Sequence, residues 1–341
     1  ADSDIGVSAD YLRQVTAPLA DPGVGVVTCL YRGVARGNVW SRFGALFIDD
    51  WFAPSVQVSH AIGSTRFAFG STIALRRDAL EAAGGTPGAN PADAVADADV
   101  AVIVVVNAAQ TETVLFGENG VVAAMKSGGV IIACATISPA EAKRFAARVE
   151  EAGLLYVDGP ISGGSKKAEA GQLTFMASGS SAAFAAARSA LDAMAGTVYE
   201  LGDQPGIGSS FKIVNQLLAG VHIAAACEAI TFAKSMDLDI SRVFDVITKS
   251  AGNSWMFENR IPHVLEGDYT PHSAVAIFTK DLGIVSDIGR QTKFPLPIAS
   301  AALQLFIMTE AAGMGRDDDS SVARLLAKIA GLKLPGMEDE D

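Results

Sequence analysis

The hydrophobic pattern between residues 97 and 201 alternates between short apolar runs and amphipathic stretches. The runs are continuous and bounded by polar residues, as in strands that are buried on both faces. Amphipathic stretches with a helical period separate them, and Ser138 with Pro139 predicts the start of one helix, which runs to about residue 152. This alternation predicts a doubly wound α/β sheet. The predicted strands are 100–106, 129–133, 154–157, 173–177 and 198–201, with a second helix near 182–194.

From residue 206 onward the pattern is helical. In the first helix, Phe211, Val214 and Leu218 recur at steps of three and four and form one apolar stripe. A second stripe, about 100° further round, includes Lys212 and Asn215. Because the helix is apolar on nearly every side, we expect it to be buried. The predicted helices of this all-α part are 209–236, 240–250, 254–267, 270–292, 297–313 and 321–330.

Lys212 is the first candidate for chemistry. A lysine on a buried helix is costly unless it is paired or functional. Burial also lowers a lysine pKa toward neutrality, where the amine can exchange protons with a ligand. Asn215, one turn further on, can hydrogen-bond the same ligand. For a lone lysine, an ammonium group that reaches the surface is the commoner outcome.

Three motifs occur together in this part of the chain. They are Gly206-x-Gly208-x3-Lys212-x2-Asn215, Asp158-x-Pro-x-Ser162-Gly163-Gly164 and Lys280-Asp281-Leu-Gly. Their residues and order resemble the β-hydroxyacid dehydrogenase family over residues 86–336. Segments 251–260, 267–271 and 294–297 are most similar to its L-threonate dehydrogenase branch. The resemblance implies a Rossmann-type sheet followed by a helical domain that also forms a homodimer or larger homo-oligomer.

The resemblance also implies a reaction, in which a small hydroxy acid loses a hydride to NAD, with NADP left open as an alternative. Lys212 would take the hydroxyl proton and Asn215 would orient the hydroxyl. The substrate carboxylate would meet Ser162, Gly163 and Gly164, whose backbone N–H groups a ligand can approach closely; a flexible glycine turn is the alternative. Asn253 and Trp255 would shape the pocket, or serve as a helix cap and a core aromatic. The residues implied in cofactor binding are Val106, Asn107, Thr136, Lys280 and Asp281. Apart from the resemblance, Asn107 and Thr136 could equally be ordinary polar loop residues.

One element of a dinucleotide site is missing from the sequence. A Gly-x-Gly-x-x-Gly loop lets the amino end of a helix approach a pyrophosphate. Neither Gly23-Val-Gly25 nor Gly206-Ile-Gly208 continues to the third glycine. We therefore expect the cofactor half of the site to be incomplete, so that NAD binds poorly or not at all. A catalytically inactive dimeric binding protein is the alternative function.

Residues 1–85 have a different pattern. Strands are predicted at 24–31 and 67–75, and helices at 9–19, 40–52 and 76–83. Asp2 and Asp4 form an Asp-x-Asp motif that could hold a divalent metal against a sugar nucleotide, although a solvated turn is the commoner reading. With segments 11–13, 22–32 and 67–76, the motif resembles part of a family 2-type glycosyltransferase, of the ceramide glucosyltransferase and hopanoid-pathway branch. The nucleotide-binding half of that fold has no counterpart here, so glycosyl transfer through Asp2 and Asp4 is the less favoured alternative.

Composition narrows the choice of partners. The chain has 341 residues, a net charge of −12 and a pI near 4.8, which argue against nucleic acid and acidic membranes as partners. Cys29, Cys134 and Cys227 are too few and too far apart for a disulfide framework or a zinc site, so we expect no metal. The apolar run 217–233 is expected to be a core helix, no signal peptide is visible, and the expected location is cytoplasmic. The expected divisions are 1–85, 86–203, 204–336 and an acidic tail, 337–341.

Overall fold

The computed structural model describes residues 26–28, 73–75 and 88–337, and the chain divides into two units at Ala89/Asn90. In the first unit, β1 (Val26–Thr28) and β2 (Ile73–Leu75) pair antiparallel, with Val27 opposite Ala74. Each lies within a strand predicted from the sequence. The helices predicted for this region, Asp2, Asp4 and Cys29 lie outside the described residues. The domain boundaries drawn from the sequence remain predictions.

The second unit begins with a parallel sheet. Strands β3 (Val100–Ile103), β4 (Val130–Ala133) and β5 (Leu155–Asp158) lie in that order, with Val100 level with Val130 and Val130 level with Leu155. All four residues of β4 are buried. Alternate residues of β4 belong to separate hydrophobic clusters on the two faces, one containing Phe145 and the other Phe184. Burial on both faces explains why these strands read as continuous apolar runs.

Helices connect and cover these strands. The helix predicted after residue 138 begins at Pro139, and Ser138 and Glu141 form a reciprocal capping box with backbone N–H groups. The helices of this part are α1 (Pro91–Val95), α2 (Ala108–Phe116), α3 (Val121–Ala124), α4 (Pro139–Glu151), α5 (Gly164–Glu169) and α6 (Ser181–Met194).

A second group of three strands adjoins the parallel sheet. β6 (Ile161–Ser162) pairs antiparallel with β7 (Leu173–Ala177), which pairs in parallel with β8 (Ala195–Glu200). An antiparallel bridge between Asp158 and Ser178 joins the two groups, through backbone hydrogen bonds of 3.0 and 2.9 Å. The end of β5 is therefore held next to the residue that follows β7.

The remainder of the unit is helical and is organised around one long helix. Helix α7 (Ile207–Ser235) packs against four later helices of the same unit, and the shared core includes Ile223, Cys227, Phe278 and Phe306. A π-helical turn, Glu310–Met314, is interrupted at Gly313, where φ is 89°. The other helices are α8 (Ile240–Ile247), α9 (Trp255–Glu266), α10 (Val275–Thr292), α11 (Pro297–Thr309), a 3₁₀ turn at Asp319–Ser321, and α12 (Val322–Ile329).

The expectation that α7 is buried on every side is wrong for one of its faces. Lys212, on the second stripe, is buried, whereas Phe211, Val214 and Leu218 are 52%, 61% and 48% exposed. Among residues 88–337, the other helices pack against one side of α7 and leave this stripe uncovered. Helical periodicity detects an apolar face but does not say whether the same chain covers it.

Two of the described helices, Ile207–Ser235 and Pro297–Met314, are long and apolar enough to cross a membrane by length and composition alone. Core helices of soluble proteins pass the same test. For α7, a place at the centre of the helical core accounts for its apolar composition.

Candidate active site

The first turn of α7 is fixed to the sheet by a buried carboxylate. Asp158 Oδ2 accepts hydrogen bonds of 2.8 Å from the backbone N–H groups of Gly206 and Ser209. Its Oδ1 accepts a 2.6 Å hydrogen bond from Ser209 Oγ. Burial raises the pKa of Asp158, and these hydrogen bonds oppose that shift. Asp158 thus supplies acceptors for N–H groups that a helix terminus cannot satisfy internally.

The two glycines of Gly206-Ile-Gly208 serve this junction. Gly206 has a φ of 94°, a left-handed conformation that glycine adopts without strain. At Gly208, a Cβ atom would lie 2.3 Å from the carbonyl oxygen of Met176 and 2.6 Å from that of Asp158. The Gly208 N–H donates to Ser178 Oγ at 2.9 Å. The glycine pair therefore permits close approach of helix and sheet, and sets Lys212 one turn beyond the contact.

Lys212 is 7% exposed, which confirms that the lysine is buried. Burial lowers its pKa to about 8, while the charge of Asp281 raises the pKa and that of Lys280 lowers it. An amine with such a pKa can act as both proton acceptor and proton donor near neutral pH. The structure therefore gives Lys212 the environment of an acid/base group.

Polar side chains link this part of α7 to α10. Asn215 Nδ2 donates to Gln216 Oε1 at 2.9 Å, and Gln216 Nε2 donates to Asp281 Oδ2 at 2.5 Å. Asp281 is buried, and its Oδ1 lies 2.8 Å from Lys280 Nζ. The chain of contacts fixes the Asn215 amide and the Lys280 ammonium relative to each other.

Lys280 also reaches the carboxyl ends of two parallel strands. Its Nζ donates to the carbonyl oxygen of Val106 at 2.7 Å and to that of Thr136 at 3.1 Å. Val106 follows β3, and Thr136 follows β4. Ligands of doubly wound sheets bind beyond these strand ends. The structure thus brings together Lys280, Val106 and Thr136, three of the residues predicted to bind cofactor.

Asn107, which is predicted to contact the cofactor, is also the N-cap of α2. Its Oδ1 accepts from Gln110 N at 2.9 Å and caps α2. Gln110 Oε1 in turn accepts from Val106 N at 2.8 Å. The Val106 side chain is 47% exposed at the strand end. These contacts shape the turn that a cofactor would meet.

The glycine loop predicted to cradle a carboxylate leads from a strand into a helix. Ser162 ends β6, and Gly163 and Gly164 have φ values of 135° and 66°. A Cβ at Gly163 would lie 2.8 Å from Lys167 Cβ, whereas Gly164 has nothing within 4 Å of that position. The two left-handed residues turn the chain sharply and expose backbone at the turn.

The pocket residues of segment 251–260 are only partly as expected. The core-aromatic alternative for Trp255 is wrong, since its side chain is 56% exposed as the first residue of α9. The cap of α9 is Ser254, whose Oγ accepts from Phe257 N, and not Asn253. Asn253 Nδ2 instead donates to Thr248 O at 3.2 Å and Glu258 Oε1 at 2.6 Å.

Sequence reasoning missed three residues of this assembly. Asp158 and Ser209 form the helix anchor, and Gln216 links Asn215 to Asp281. Asp158 stood at the head of a recognised motif, and Gln216 lies next to Asn215, so position alone could have suggested both. Their partners are 51 and 65 residues away in sequence, which local patterns do not reveal.

The described residues place side chains beyond the carboxyl ends of two parallel strands. Val104 and Val106 are exposed after β3, and Lys280 donates to the backbone of Val106 and of Thr136, which follows β4. Within residues 88–337, β3 pairs with β4 alone, and no Gly-x-Gly-x-x-Gly loop leads into a helix. These residues therefore lack the glycine loop and helix amino end that would bind the pyrophosphate of a dinucleotide.

Family models and known proteins match the chain in segments. Residues 206–326 match a model described as NAD-binding of NADP-dependent 3-hydroxyisobutyrate dehydrogenase, and residues 69–202 match the NAD binding domain of 6-phosphogluconate dehydrogenase. Residues 1–108 match glycosyl transferase family 21. The matches confirm the NAD-binding segments and the glycosyltransferase resemblance that the sequence indicated.

Individual relatives cover most of the second unit. An L-threonate dehydrogenase of Cupriavidus necator is 53% identical over 254 residues, 74% of this chain and 84% of the relative. One from Escherichia coli K12 is 49% identical over 238 residues, 70% of this chain and 78% of the relative. A crystal structure of a 3-hydroxyisobutyrate dehydrogenase from Salmonella typhimurium is 48% identical, with a TM-score of 0.70 over 74% of this chain and 89% of that chain. These matches confirm the Rossmann-type fold with a helical second part.

Proposed function

The chain belongs to the β-hydroxyacid dehydrogenase family, and we propose that its chemistry is the oxidation of the hydroxyl of L-threonate or a closely similar hydroxy acid by NAD, an activity that the missing Gly-x-Gly-x-x-Gly loop impairs by weakening cofactor binding. The substrate class rests on the relatives named L-threonate dehydrogenase, at 46–53% identity. The observation that carries the chemistry is the buried Lys212, whose pKa burial lowers to about 8. NADP remains an alternative to NAD.

Lys212 would act as the proton acceptor for the substrate hydroxyl. With a pKa of about 8, roughly a tenth of the amine is neutral at pH 7 and can take a proton. As the hydroxyl proton leaves, the same carbon gives up a hydride, for which bound NAD would be the acceptor. Asn215 would orient the hydroxyl, and its amide is held by Gln216.

The substrate carboxylate would bind at Ser162, Gly163 and Gly164. The Ser162 hydroxyl is a donor, and the left-handed glycines turn the backbone with no side chain of their own to block approach. An anion held by several backbone N–H groups would fix the substrate relative to Lys212. Asn253 and Trp255 would border this pocket, with the exposed Trp255 ring offering an apolar wall.

Val106, Asn107 and Thr136 would contact the cofactor, with Asn107 and Thr136 at its adenine-ribose and nicotinamide halves, and Lys280 with Asp281 would fix the cofactor edge against α10. The support is the pair of hydrogen bonds from Lys280 to the two strand ends. These bonds join the helical part to the sheet, and the proposal puts the meeting point of nicotinamide and substrate at this junction. Residues 88–337 supply no comparable support for the pyrophosphate.

The incomplete pyrophosphate site favours a second candidate function. A chain that retains the helical surface but binds no cofactor would serve as an inactive dimeric binding protein. The observation behind it is that β3 has one neighbour, β4, among residues 88–337. Glycosyl transfer through Asp2 and Asp4 rests on residues outside the described part of the chain.

Steady-state oxidation of L-threonate by the purified full chain, with NAD and with NADP, tests the proposal. Lys212→Ala should lower turnover by about 10²–10⁴-fold while the circular dichroism spectrum stays unchanged. Lys234→Ala, in the last turn of the same helix, is the matched control and should retain wild-type turnover. If folded Lys212→Ala turns over L-threonate as fast as the wild type, Lys212 is not the acid/base group. If the wild-type chain shows no turnover, the inactive binding protein is the favoured function.

A further inference from the structure

A group of metal-ligating side chains lies apart from the Lys212 network, at the junction of three helical segments. His263 lies in the last turn of α9, His272 in the loop before α10, and Asp318 caps the 3₁₀ turn before α12. One ligand atom from each falls within 4.8 Å of the others. The residues come together only through folding, since Asp318 is 46 positions from His272.

The three side chains contact one another in the order Asp318, His263, His272. Asp318 Oδ1 lies 3.0 Å from His263 Nδ1, and His263 Nε2 lies 3.0 Å from His272 Nδ1. The imidazole rings meet edge to face, with an interplanar angle of 70°. A carboxylate on one nitrogen of an imidazole favours the tautomer whose other nitrogen is a lone-pair donor. The contact of Asp318 with His263 Nδ1 is close but lacks hydrogen-bond geometry, and its negative charge favours a proton on Nδ1 and a lone pair on Nε2, the nitrogen that faces His272.

Asp318 is suited to orient His263 rather than to bind an ion itself. It is fully buried, and its Oδ1 also accepts from Ser320 N at 3.1 Å and from Ser320 Oγ at 2.6 Å. Its Oδ2 accepts from His272 N at 3.0 Å. The same carboxylate thus positions both histidines, one through its ring and the other through its backbone.

The adjacent acidic residues are already balanced by arginines. Asp317 pairs with Arg324 at 2.7 Å, and Asp319 pairs with Arg260 at 2.5 Å. These pairs hold the turn that presents Asp318. They also leave the two imidazoles as the donor set of the cluster, so the chemistry is that of nitrogen ligands and not of an all-oxygen site.

We propose that His263 Nε2 and His272 Nδ1 bind a first-row divalent transition-metal ion of the Zn²⁺ class, with Asp318 as the positioning residue behind His263. Two imidazole nitrogens on one tetrahedral Zn²⁺ are about 3.3 Å apart, from Zn–N bonds of about 2.0–2.1 Å. The observed separation of 3.0 Å is close to this value, and the two rings must also turn so that both lone pairs point at one ion. Imidazole suits Zn²⁺, Cu²⁺ and Ni²⁺, whereas Mg²⁺ prefers oxygen ligands.

The site would connect α9 to the segment that leads into α10. Bound metal replaces the hydrogen bond between the rings, and His272 then has its proton on Nε2. Because α10 contains Lys280 and Asp281, an ion held at its entrance would stiffen the element that reaches the strand ends. The sequence analysis expected no metal, because the two histidines lie nine residues apart without a recognised ligand spacing and Asp318 joins them only in the fold.

Zn²⁺ titration of the full chain without an affinity tag, against a chromophoric chelator, tests the proposal. One ion should bind per chain, and His272→Gln and His263→Gln should each weaken binding at least tenfold. Asp318→Asn should weaken it by about 10–100-fold, as outer-sphere changes do. His222→Gln, on α7, is the matched control and should bind as the wild type does, and Mg²⁺ should not compete.

Thermal unfolding with and without Zn²⁺ gives a second readout, because an ion that binds only the folded state raises Tm. The increase should disappear in His272→Gln, whose change lies at an exposed side chain. Wild-type binding no tighter than that of the His263→Gln/His272→Gln double variant would overturn the assignment. Equal Zn²⁺ affinity in all variants would place the ion elsewhere on this acidic chain and would overturn it too.

Discussion

Ser209 Oγ donates a 2.6 Å hydrogen bond to Asp158 Oδ1 and joins the first turn of the Lys212 helix to the end of β5. The other oxygen of Asp158 receives two backbone N–H groups of the same turn. The acid/base candidate is therefore positioned by a carboxylate from the sheet, one helical turn away. Any change at Asp158 should act on stability and on the placement of Lys212 together.

Asp158→Ala should destabilise the fold by about 2–3 kcal/mol, because it leaves buried donors at the start of α7 without acceptors. Asp158→Asn should cost much less, since the amide oxygen can still accept from the backbone and the amide N–H₂ can donate to Ser209 Oγ. Urea unfolding of both variants at pH 7 measures the difference. Equal losses in the two variants would show that the carboxylate's charge, and not its acceptors, matters.

Lys212 should make stability and activity respond to pH in a defined window. Its pKa is about 8 in the folded chain against 10.5 as the ordinary value. Between these values the unfolded chain holds the proton and the folded chain does not, so the free energy of unfolding should rise with pH in this window. In the same way, kcat/KM for hydroxy-acid oxidation should rise with pH to an inflection near 8.

Lys212→Met provides the comparison. It removes a buried charge, so at pH 7 it should stabilise the fold by about 1–3 kcal/mol while abolishing turnover. Its stability should also lose the rise above pH 8 that the wild type shows. A Lys212→Met variant less stable than the wild type would mean that contacts of the ammonium group in the folded chain outweigh the cost of burying its charge.

Much of this site could be predicted from the sequence, and the parts that could not be predicted have physical causes. The burial of Lys212 followed from small and apolar residues on its stripe, such as Gly208 and Ala219. The sequence shows Gly208 only as part of a motif, whereas its close approach to the carbonyl of Met176 depends on β7, a strand distant in sequence. Periodicity describes a helix face, but which strand or helix meets that face is decided by tertiary packing.

The Ser162-Gly163-Gly164 loop offers a matched pair of glycine variants. Gly163→Ala should impair L-threonate binding, because it adds both the strain of a φ of 135° and a contact with Lys167. Gly164→Ala meets no atom within 4 Å, and its left-handed conformation costs about 1–2 kcal/mol. Calorimetry with L-threonate should show a larger loss of affinity at Gly163. Unchanged affinity in folded Gly163→Ala would remove the loop from the carboxylate site.

The exposed stripe of α7 predicts association between copies of the chain. Phe211, Val214, Leu218 and Phe232 leave apolar side chains uncovered along one helix face, as interfaces do. Leu218→Glu with Phe232→Glu should shift the mass measured by light scattering from an oligomer to a monomer. Ile329→Glu, at an exposed apolar residue of α12, should leave the mass unchanged. A monomeric wild-type chain would contradict the prediction.

The final prediction concerns the cofactor. Pyrophosphate recognition needs backbone N–H groups at the amino end of a helix, and a Gly-x-Gly-x-x-Gly loop is what permits close approach. Residues 88–337 supply the strand ends and Lys280, but β3 has one paired neighbour among them and no such loop precedes it. NADH should therefore bind this chain poorly or not at all, although its relatives are dehydrogenases.

Titration of the purified full chain, followed by NADH fluorescence, measures this directly. A variant in which residues 1–89 are replaced by a first βαβ unit with the Gly-x-Gly-x-x-Gly loop is the comparison, because the chain divides at Ala89/Asn90. Restored NADH binding and L-threonate oxidation in that variant would identify a dehydrogenase whose pyrophosphate site is missing. Micromolar NADH binding by the unaltered chain would contradict the prediction, since it would require a phosphate site built without that loop.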